Sequence, residues 1–254
     1  WCGQQGMTDL PKFLAGTLPA ERCTIRLGTK LASLGIDGGN VLACLDDGSR
    51  LLARAAVVTA PVPQALDLLA AGGLLAPAAG RYAALPAGAL DPAAILALAE
   101  VGYDPCFALM LVLKRPSRVP APGGIQFASG PLAWLGDNFQ KGISSVPALT
   151  VHASGAFSRE HFDTPPEAVA QILLEAVRPW IDAGAGSLAE GIVEQSLHRW
   201  KFATPTKILP EPLVAVCREP GIVCCGDAFA GPRVEGATLS GLAAGGWLAG
   251  LLAG

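Results

Sequence analysis

Charge is scarce in this sequence. Lys, Arg, Asp and Glu together make up 15% of its 254 residues and nearly cancel, leaving a net charge of −3. That balance supplies neither a basic patch for nucleic acid nor a cationic stripe for an acidic bilayer, so no nucleic-acid partner is expected. Histidine is rarer still, with three residues, and no Cys/His spacing forms a CxxC or another ligand set, so no metal site is expected. The seven Cys (2, 23, 44, 106, 217, 224 and 225) are odd in number and sit mostly inside apolar runs. Core thiols in a reducing compartment fit that pattern better than a disulfide framework. No basic segment leads into an apolar run at the start, and the reading is a cytoplasmic chain. Also lacking is a G-x-G-x-x-G loop between a strand and a helix. The near match Gly184-Ala185-Gly186-Ser187-Leu188-Ala189 follows a helix and has no acidic residue on a second strand, so it is rejected as a dinucleotide loop.

What is abundant is apolar residues, at 51%, with 31 Gly and 21 Pro. Such a chain is globular, has many turns, and is long enough for one or two domains. Residues 8–14 predict a helix capped by Thr8 or Asp9, apolar at Leu10, Phe13 and Leu14. Alternating runs broken by Asp37-Gly38-Gly39-Asn40 and Asp46-Asp47-Gly48-Ser49 predict a hairpin or meander. The run Ala55 to Thr59 reads as a buried strand that stops before Pro61.

Helical Ala/Leu stretches at 64–71 and 91–99 come next, then strand candidates at 106–114, 125–128, 132–136 and 148–154. An amphipathic helix from Pro165 to Trp180 places Val169, Ile172, Leu173, Ala176 and Val177 on one face. The strand 193–202 follows, and alternation puts His198, Trp200 and Phe202 on one side, Arg199 and Lys201 on the other. Trp200 is then either a core residue or part of an aromatic surface that stacks a flat ligand ring. His198, His152 and His161 are read as structural.

The last stretch, Gly221 to Gly254, organises the rest. A buried strand over 222–225 runs into Gly226-Asp227, then a loop with Pro232, then a long apolar helix starting near Gly236. A carboxylate at the end of a core strand accepts hydrogen bonds from sugar or ribityl hydroxyls. The glycines allow close backbone approach, and the helix amino end offers unpaired N–H groups to an anion or an electron-rich ring. Two other readings stand beside this one. The run is an ordinary core helix, or it is a transmembrane helix, against which Gly241, Gly245, Gly246 and Gly250 count.

Strand, Gly-Asp, loop and Gly/Ala-rich helix together resemble the C-terminal flavin-binding motif of the flavin amine oxidase superfamily, and within it the renalase-like NAD/FAD-dependent oxidoreductases. The resemblance extends to the Gly6-Met7 step before a helix, to Thr29-Lys30-Leu31, to the Val57-Val58-Thr59-Ala60-Pro61 turn, and to His198-Arg199-Trp200-Lys201-Phe202-Ala203, where Lys201 stands in place of the usual Arg. Asp137-Asn138 is similar to a renalase-like loop but is also a plain turn signal.

The resemblance implies an α/β fold: an incomplete FAD-binding Rossmann-like domain with an inserted α+β substrate domain of antiparallel sheet plus helices. Its divisions are 1–15, a helix entering the cofactor and substrate region; 16–62, part of the FAD-binding domain; 63–220, the substrate domain; and 221–254, the closing FAD-binding strand, loop and helix. It implies FAD as cofactor, held by Leu31, Ala60, Gly226, Asp227, Val234, Glu235, Gly236 and Ala237. Trp200 and Gln5 are the substrate-side residues, with substrate between the flavin ring and the antiparallel sheet. The implied activity is oxidation of isomeric dihydronicotinamides with oxygen as acceptor and hydrogen peroxide as product, which needs no general base. The alternatives are a flavin amine oxidase, a desaturase of the same superfamily, or a non-catalytic fragment or interaction module. The partner is a small molecule, dihydronicotinamide or amine-like, with no membrane; the sequence leaves the oligomeric state open. The family's phosphate-binding βαβ unit, roughly thirty residues or more, would precede Trp1, and the expectation is an incomplete chain rather than a sheet that lacks its central strand.

Overall fold

A computed structural model describes residues 3, 6–78, 81–84, 89–182, 184 and 186–253. The elements in chain order begin with α1 (Asp9–Gly16), β1 (Leu31–Asp37), β2 (Asn40–Leu45), β3 (Arg50–Ala53), β4 (Ala55–Val58), α2 (Val62–Ala71), β5 (Leu75–Ala78), β6 (Arg81–Ala84) and α3 (Pro92–Ala99). Next come β7 (Gly102–Leu113), β8 (Gly124–Gln126), β9 (Leu132–Asp137), β10 (Ala148–Ala153), α4 (Gly155–Glu160) and α5 (Pro166–Val177). The chain closes with β11 (Ile192–Lys207), β12 (Val214–Cys217), β13 (Gly221–Cys224) and α6 (Val234–Ala253). They form a mixed α/β structure with antiparallel sheets and helices, in two compact units. One holds Asp104–Ala203 with the chain up to Ile25; the other holds Arg26–Tyr103 with Thr204–Gly254. The sequence-based divisions at 63 and 220 both fall inside the second unit.

The first unit is built on the sheet β11-β7-β10-β9-β8, whose pairs β7–β10, β10–β9 and β9–β8 are antiparallel. Period-two alternation sends Phe107, Leu109, Leu111 and Leu113 of β7 into the core while Met110 stays 42% exposed. Helix α5 covers this face. It buries Val169, Ala170, Leu173, Leu174 and Val177, each buried leucine contributing about 1.5–3 kcal/mol against exposure. The sequence stripe is therefore rotated: Ile172 is left at the surface and Ala170 and Leu174 take its place. Helix α1 starts as predicted, but the Thr8 side chain makes no capping bond and none of the helix residues is buried.

Asp137, at the end of β9, is the turn residue that the Asp-Asn pair announces. Its carboxylate is 2% exposed and accepts from the backbone N–H of Phe139 and of Gln140, both at 2.9 Å, and from the Ser117 hydroxyl at 2.5 Å. Asn138 donates to Thr150 Oγ1 at 2.9 Å. The pair fastens a loop, which accounts for both side chains without a ligand.

The second unit contains the meander β1-β2-β3, the hairpin β5-β6 and the sheet β12-β13-β4. β13 and β4 are parallel, with Gly221 opposite Ala55 and Cys224 opposite Val58; β12 is antiparallel to β13. Strand β13 is buried at every position, as a parallel strand covered on both faces should be. β4 departs from the prediction. Only Val58 is fully buried and Val57 is 42% exposed, because β4 is the last strand of its sheet. The core joins Leu34, Val41, Val58, Leu66, Leu69, Ile95, Leu98, Val216, Ile222 and Phe229.

Helix α3 is capped by Asp91, whose carboxylate accepts from the backbone N–H of Ala93 at 2.9 Å. Helix α6 begins two residues before Gly236 and packs through Ala244, Trp247 and Leu248 on Val223 and Cys225. By length and composition alone α6 is sufficient to cross a membrane. Core helices of soluble proteins share that property but are mostly buried, whereas α6 buries Ser240 and Ala244 alone among its residues.

Candidate functional site

Two parallel strands of the second unit end side by side. Beyond the Val58–Cys224 pair, the backbone N–H of Cys225 donates to Val58 O at 3.1 Å. From there the two segments diverge, one through Thr59-Ala60-Pro61 into α2 and the other into Gly226-Asp227. The carboxyl ends of parallel strands are where open α/β sheets hold ligands.

The Gly226-Asp227 turn is fixed from three directions. Gly226 has φ 137°, a conformation open to glycine and strained for other residues. Its N–H donates to Ser240 Oγ at 2.9 Å, and the Ser240 hydroxyl donates to Pro212 O at 2.5 Å. Ser240 is fully buried. The Asp227 carboxylate accepts from the Tyr103 hydroxyl at 3.1 Å, and that hydroxyl in turn accepts from the Val62 N–H at 3.4 Å. Burial, reinforced by the Asp227 charge, pushes the Tyr103 phenol well above the usual tyrosine range, so it stays a donor.

The loop that follows is pinned to the 209 region: Leu209 N–H donates to Ala228 O at 2.9 Å and Ala230 N–H to Leu209 O at 2.8 Å. It then closes on the first turn of α6. A β-carbon at Gly236 would lie 2.3 Å from Gly231 O, so no side chain fits there. Ala237 N–H donates to Arg233 O at 2.9 Å, the first bond of the helical ladder. The N–H groups of Val234, Glu235 and Gly236 precede that bond and form the amino end of the helix, where the dipole is positive.

The structure thus brings Gly226, Asp227, Val234, Glu235, Gly236 and Ala237 onto one turn, loop and helix start, with Ala60 following the strand paired beside them. The Ala237 amide, expected to face a ligand, is engaged within the helix instead. Leu31 opens β1, opposite Leu45, and packs on the core of the same unit.

Trp200 belongs to the other unit, on β11. It is 54% exposed, which excludes the core reading, and its ring lies 4.3 Å from that of His198, tilted by 59°. On the opposite face Arg199 donates to Phe162 O at 2.6 Å, with its guanidinium 4.6 Å from the Phe162 ring. Gln5 lies outside the described residues. The rejected Gly184 segment leads only into a short 3₁₀ turn, Leu188–Gly191, capped by Ser187.

Sequence reasoning missed Ser240 and Tyr103. A lone hydroxyl inside an apolar helix was a usable signal for Ser240, since a buried hydroxyl needs partners. Tyr103 carried none, because its partner is 124 residues away. Cys224 and Cys225 are buried free thiols; burial, with Cys225 adjacent, holds the Cys224 thiol up at about 12. Neither is presented for attachment to a ligand.

The sequence profile described as flavin containing amine oxidoreductase matches residues 1–245. Among solved structures, one from Exiguobacterium sp. 255-15, assigned as a protoporphyrinogen oxidase, is similar at TM-score 0.63 and 14% identity, over 96% of this chain and 51% of that one. A putrescine oxidase variant redesigned at its cofactor site is similar at TM-score 0.58 and 14% identity, over 96% of this chain and 53% of that one. At that identity the likeness is one of fold. The chain spans about half the length of these structures. The profile match runs from the first residues through most of α6, and with the Gly226-Asp227 turn and helix start it covers, the chain belongs to the flavin containing amine oxidoreductase family.

Proposed function

We propose that the protein is an FAD-dependent oxidoreductase that holds its dinucleotide at the carboxyl ends of β4 and β13. The observation that carries this reading is the Asp227 carboxylate on a strand-end turn followed by the helix start at Val234, with Gly231 and Gly236 in backbone contact. A flavin dinucleotide fits that arrangement. Asp227 has the chemistry to accept from ribityl or ribose hydroxyls, and Gly231, with nothing within 4 Å of where a β-carbon would stand, leaves backbone open to a large flat ligand. The amides of Val234, Glu235 and Gly236 favour the negative charge that a pyrimidine edge gains on reduction. When bound, the flavin supplies two-electron redox chemistry; the chain supplies hydrogen bonds, orientation and the helix dipole.

For substrate, the renalase resemblance favours an isomeric dihydronicotinamide. The overall reaction is NAD(P)H isomer plus O₂ plus H⁺ giving NAD(P)⁺ plus H₂O₂: two electrons leave the dihydropyridine ring and oxygen is reduced. The exposed His198–Trp200 pair is suited to stacking a flat ring. The second reading, an amine oxidase or a desaturase, is favoured by the structural neighbours assigned as protoporphyrinogen oxidase and putrescine oxidase.

The test is the visible spectrum of the purified protein with and without FAD, then anaerobic addition of an isomeric dihydronicotinamide, a polyamine or a porphyrinogen. A retained flavin spectrum that the dihydronicotinamide bleaches supports the first substrate; bleaching by either other compound selects the second reading. Trp200→Ala should raise KM for the bleaching substrate with unchanged flavin content. If the protein, expressed from its complete reading frame, retains no flavin, the reading is overturned in favour of a non-catalytic module. Sedimentation with membranes would speak for a lipid-like substrate.

A further inference from the structure

Asp227 is not held by its own loop alone. Tyr103 reaches it from the start of β7, and the Val62 amide fills one lone pair of the phenol oxygen. With that acceptor position occupied, the phenol proton points to Asp227 Oδ1. The relay spans the two chain segments that leave the parallel strand ends: Val62 just past Ala60-Pro61 on one side, Asp227 on the other. Among the described residues Asp227 Oδ2 has no hydrogen-bond partner, and the carboxylate is partly exposed.

We propose that Tyr103 is a positioning residue for the cofactor site: it locks Asp227 through Oδ1 and so presents Oδ2 to a hydroxyl of the flavin dinucleotide. The inference rests on the flavin reading above. A neutral phenol suits this task. A lysine or arginine in its place would neutralise the carboxylate and compete for both oxygens, whereas a phenol orients it and leaves its charge in place. The raised titration of Tyr103 agrees with a donor that keeps its proton at any physiological pH. Ordering Asp227 before the ligand arrives removes part of the conformational cost of binding.

Tyr103→Phe keeps the ring, which packs on the core, and removes only the hydroxyl. FAD should bind about tenfold more weakly to this variant, the size of one charge-assisted hydrogen bond. The double variant Tyr103→Phe/Asp227→Asn should bind no more weakly than Asp227→Asn alone, because both changes act on one contact. If the wild type binds FAD and Tyr103→Phe binds it equally well, or if the two effects simply multiply, this inference fails and the flavin reading survives. A wild type that binds no flavin overturns both.

A ligand-free readout tests the contact itself. The chain has two Tyr, so in a Tyr82→Phe background the ultraviolet phenolate titration belongs to Tyr103 alone. Adding Asp227→Asn should move that titration to lower pH. No movement would mean the hydroxyl does not face Asp227, and the inference would be overturned whatever the flavin result.

Discussion

Helices α5 and α6 are both apolar, yet they are buried very differently. α5 has 12 residues and sinks a continuous stripe, Val169, Ala170, Leu173, Leu174 and Val177, into the first unit's core. α6 has 20 residues and buries only Ser240 and Ala244, with Leu239 56% and Leu242 68% exposed. Mean hydropathy does not separate them; the pattern does. α5 has a polar face that tells the chain which side goes in, whereas α6 is apolar or small all round, so its seat is chosen by a few specific contacts. Those contacts, Ser240 to Gly226 and Gly236 to Gly231, lie at the helix's amino-terminal half, near the candidate site. α5 is a structural helix held along one continuous stripe, whereas α6 is pinned at its start by Ser240 and Gly236 and farther along touches the strand beneath it through Ala244, Trp247 and Leu248.

That contrast can be broken by experiment. The largest effect is expected from Leu173→Ala in α5, which should cost about 2–5 kcal/mol by urea unfolding; Leu242→Ala in α6 should stay within about 0.5 kcal/mol. Equal losses would mean that α6 is buried along its flank after all. Next, Gly236→Ala should cost about 1–3 kcal/mol from overpacking against Gly231 O, together with loss of flavin retention. A stable variant that still retains flavin would refute the tight closure at 231–236.

Ser240→Ala leaves the Gly226 N–H without its acceptor and Pro212 O without its donor. A cost of about 1–3 kcal/mol is expected. The same change tests how α6 is seated on Cys225, a buried thiol whose titration burial pushes up. In the wild type at neutral pH, Cys225 should resist alkylation; Ser240→Ala removes the hydroxyl that lowers its titration, so faster labelling by mass spectrometry would report that α6 has been unseated and the thiol exposed. A smaller effect belongs to Ile172→Ala, a change of no more than about 1 kcal/mol, since the side chain is 39% exposed. A loss matching that of Leu173→Ala would restore the sequence-based stripe.

Much of the fold was legible locally. The meander turns were announced by Asp-Gly-Gly-Asn and Asp-Asp-Gly-Ser, and β9 and β10 by runs of apolar residues close to their observed bounds, whereas β7 starts at Gly102, four residues before its apolar run. The order strand, Gly-Asp, loop, apolar helix was visible because each step has a local chemical signal. The hairpin β5-β6 was not anticipated, since its residues carry neither strong alternation nor β-branching. The rotation of α5 was misjudged because Ile172 and Leu174 are equally apolar, and only the shape of the facing sheet distinguishes them.

The sequence alone determined the turns of the meander, most of the strands and longer helices, and that Asp227 stands between a buried strand and a helix start. Those features follow from φ preferences, side-chain periodicity and caps, which act over a few residues. Tertiary structure decided the rest: that β4 and β13 lie side by side and parallel, that Trp200 is exposed, and that Tyr103 and Ser240 hold the Gly226-Asp227 turn. These are pairings across long stretches of chain. Many partners of similar hydropathy compete for each position, and only the packed core selects one arrangement among them.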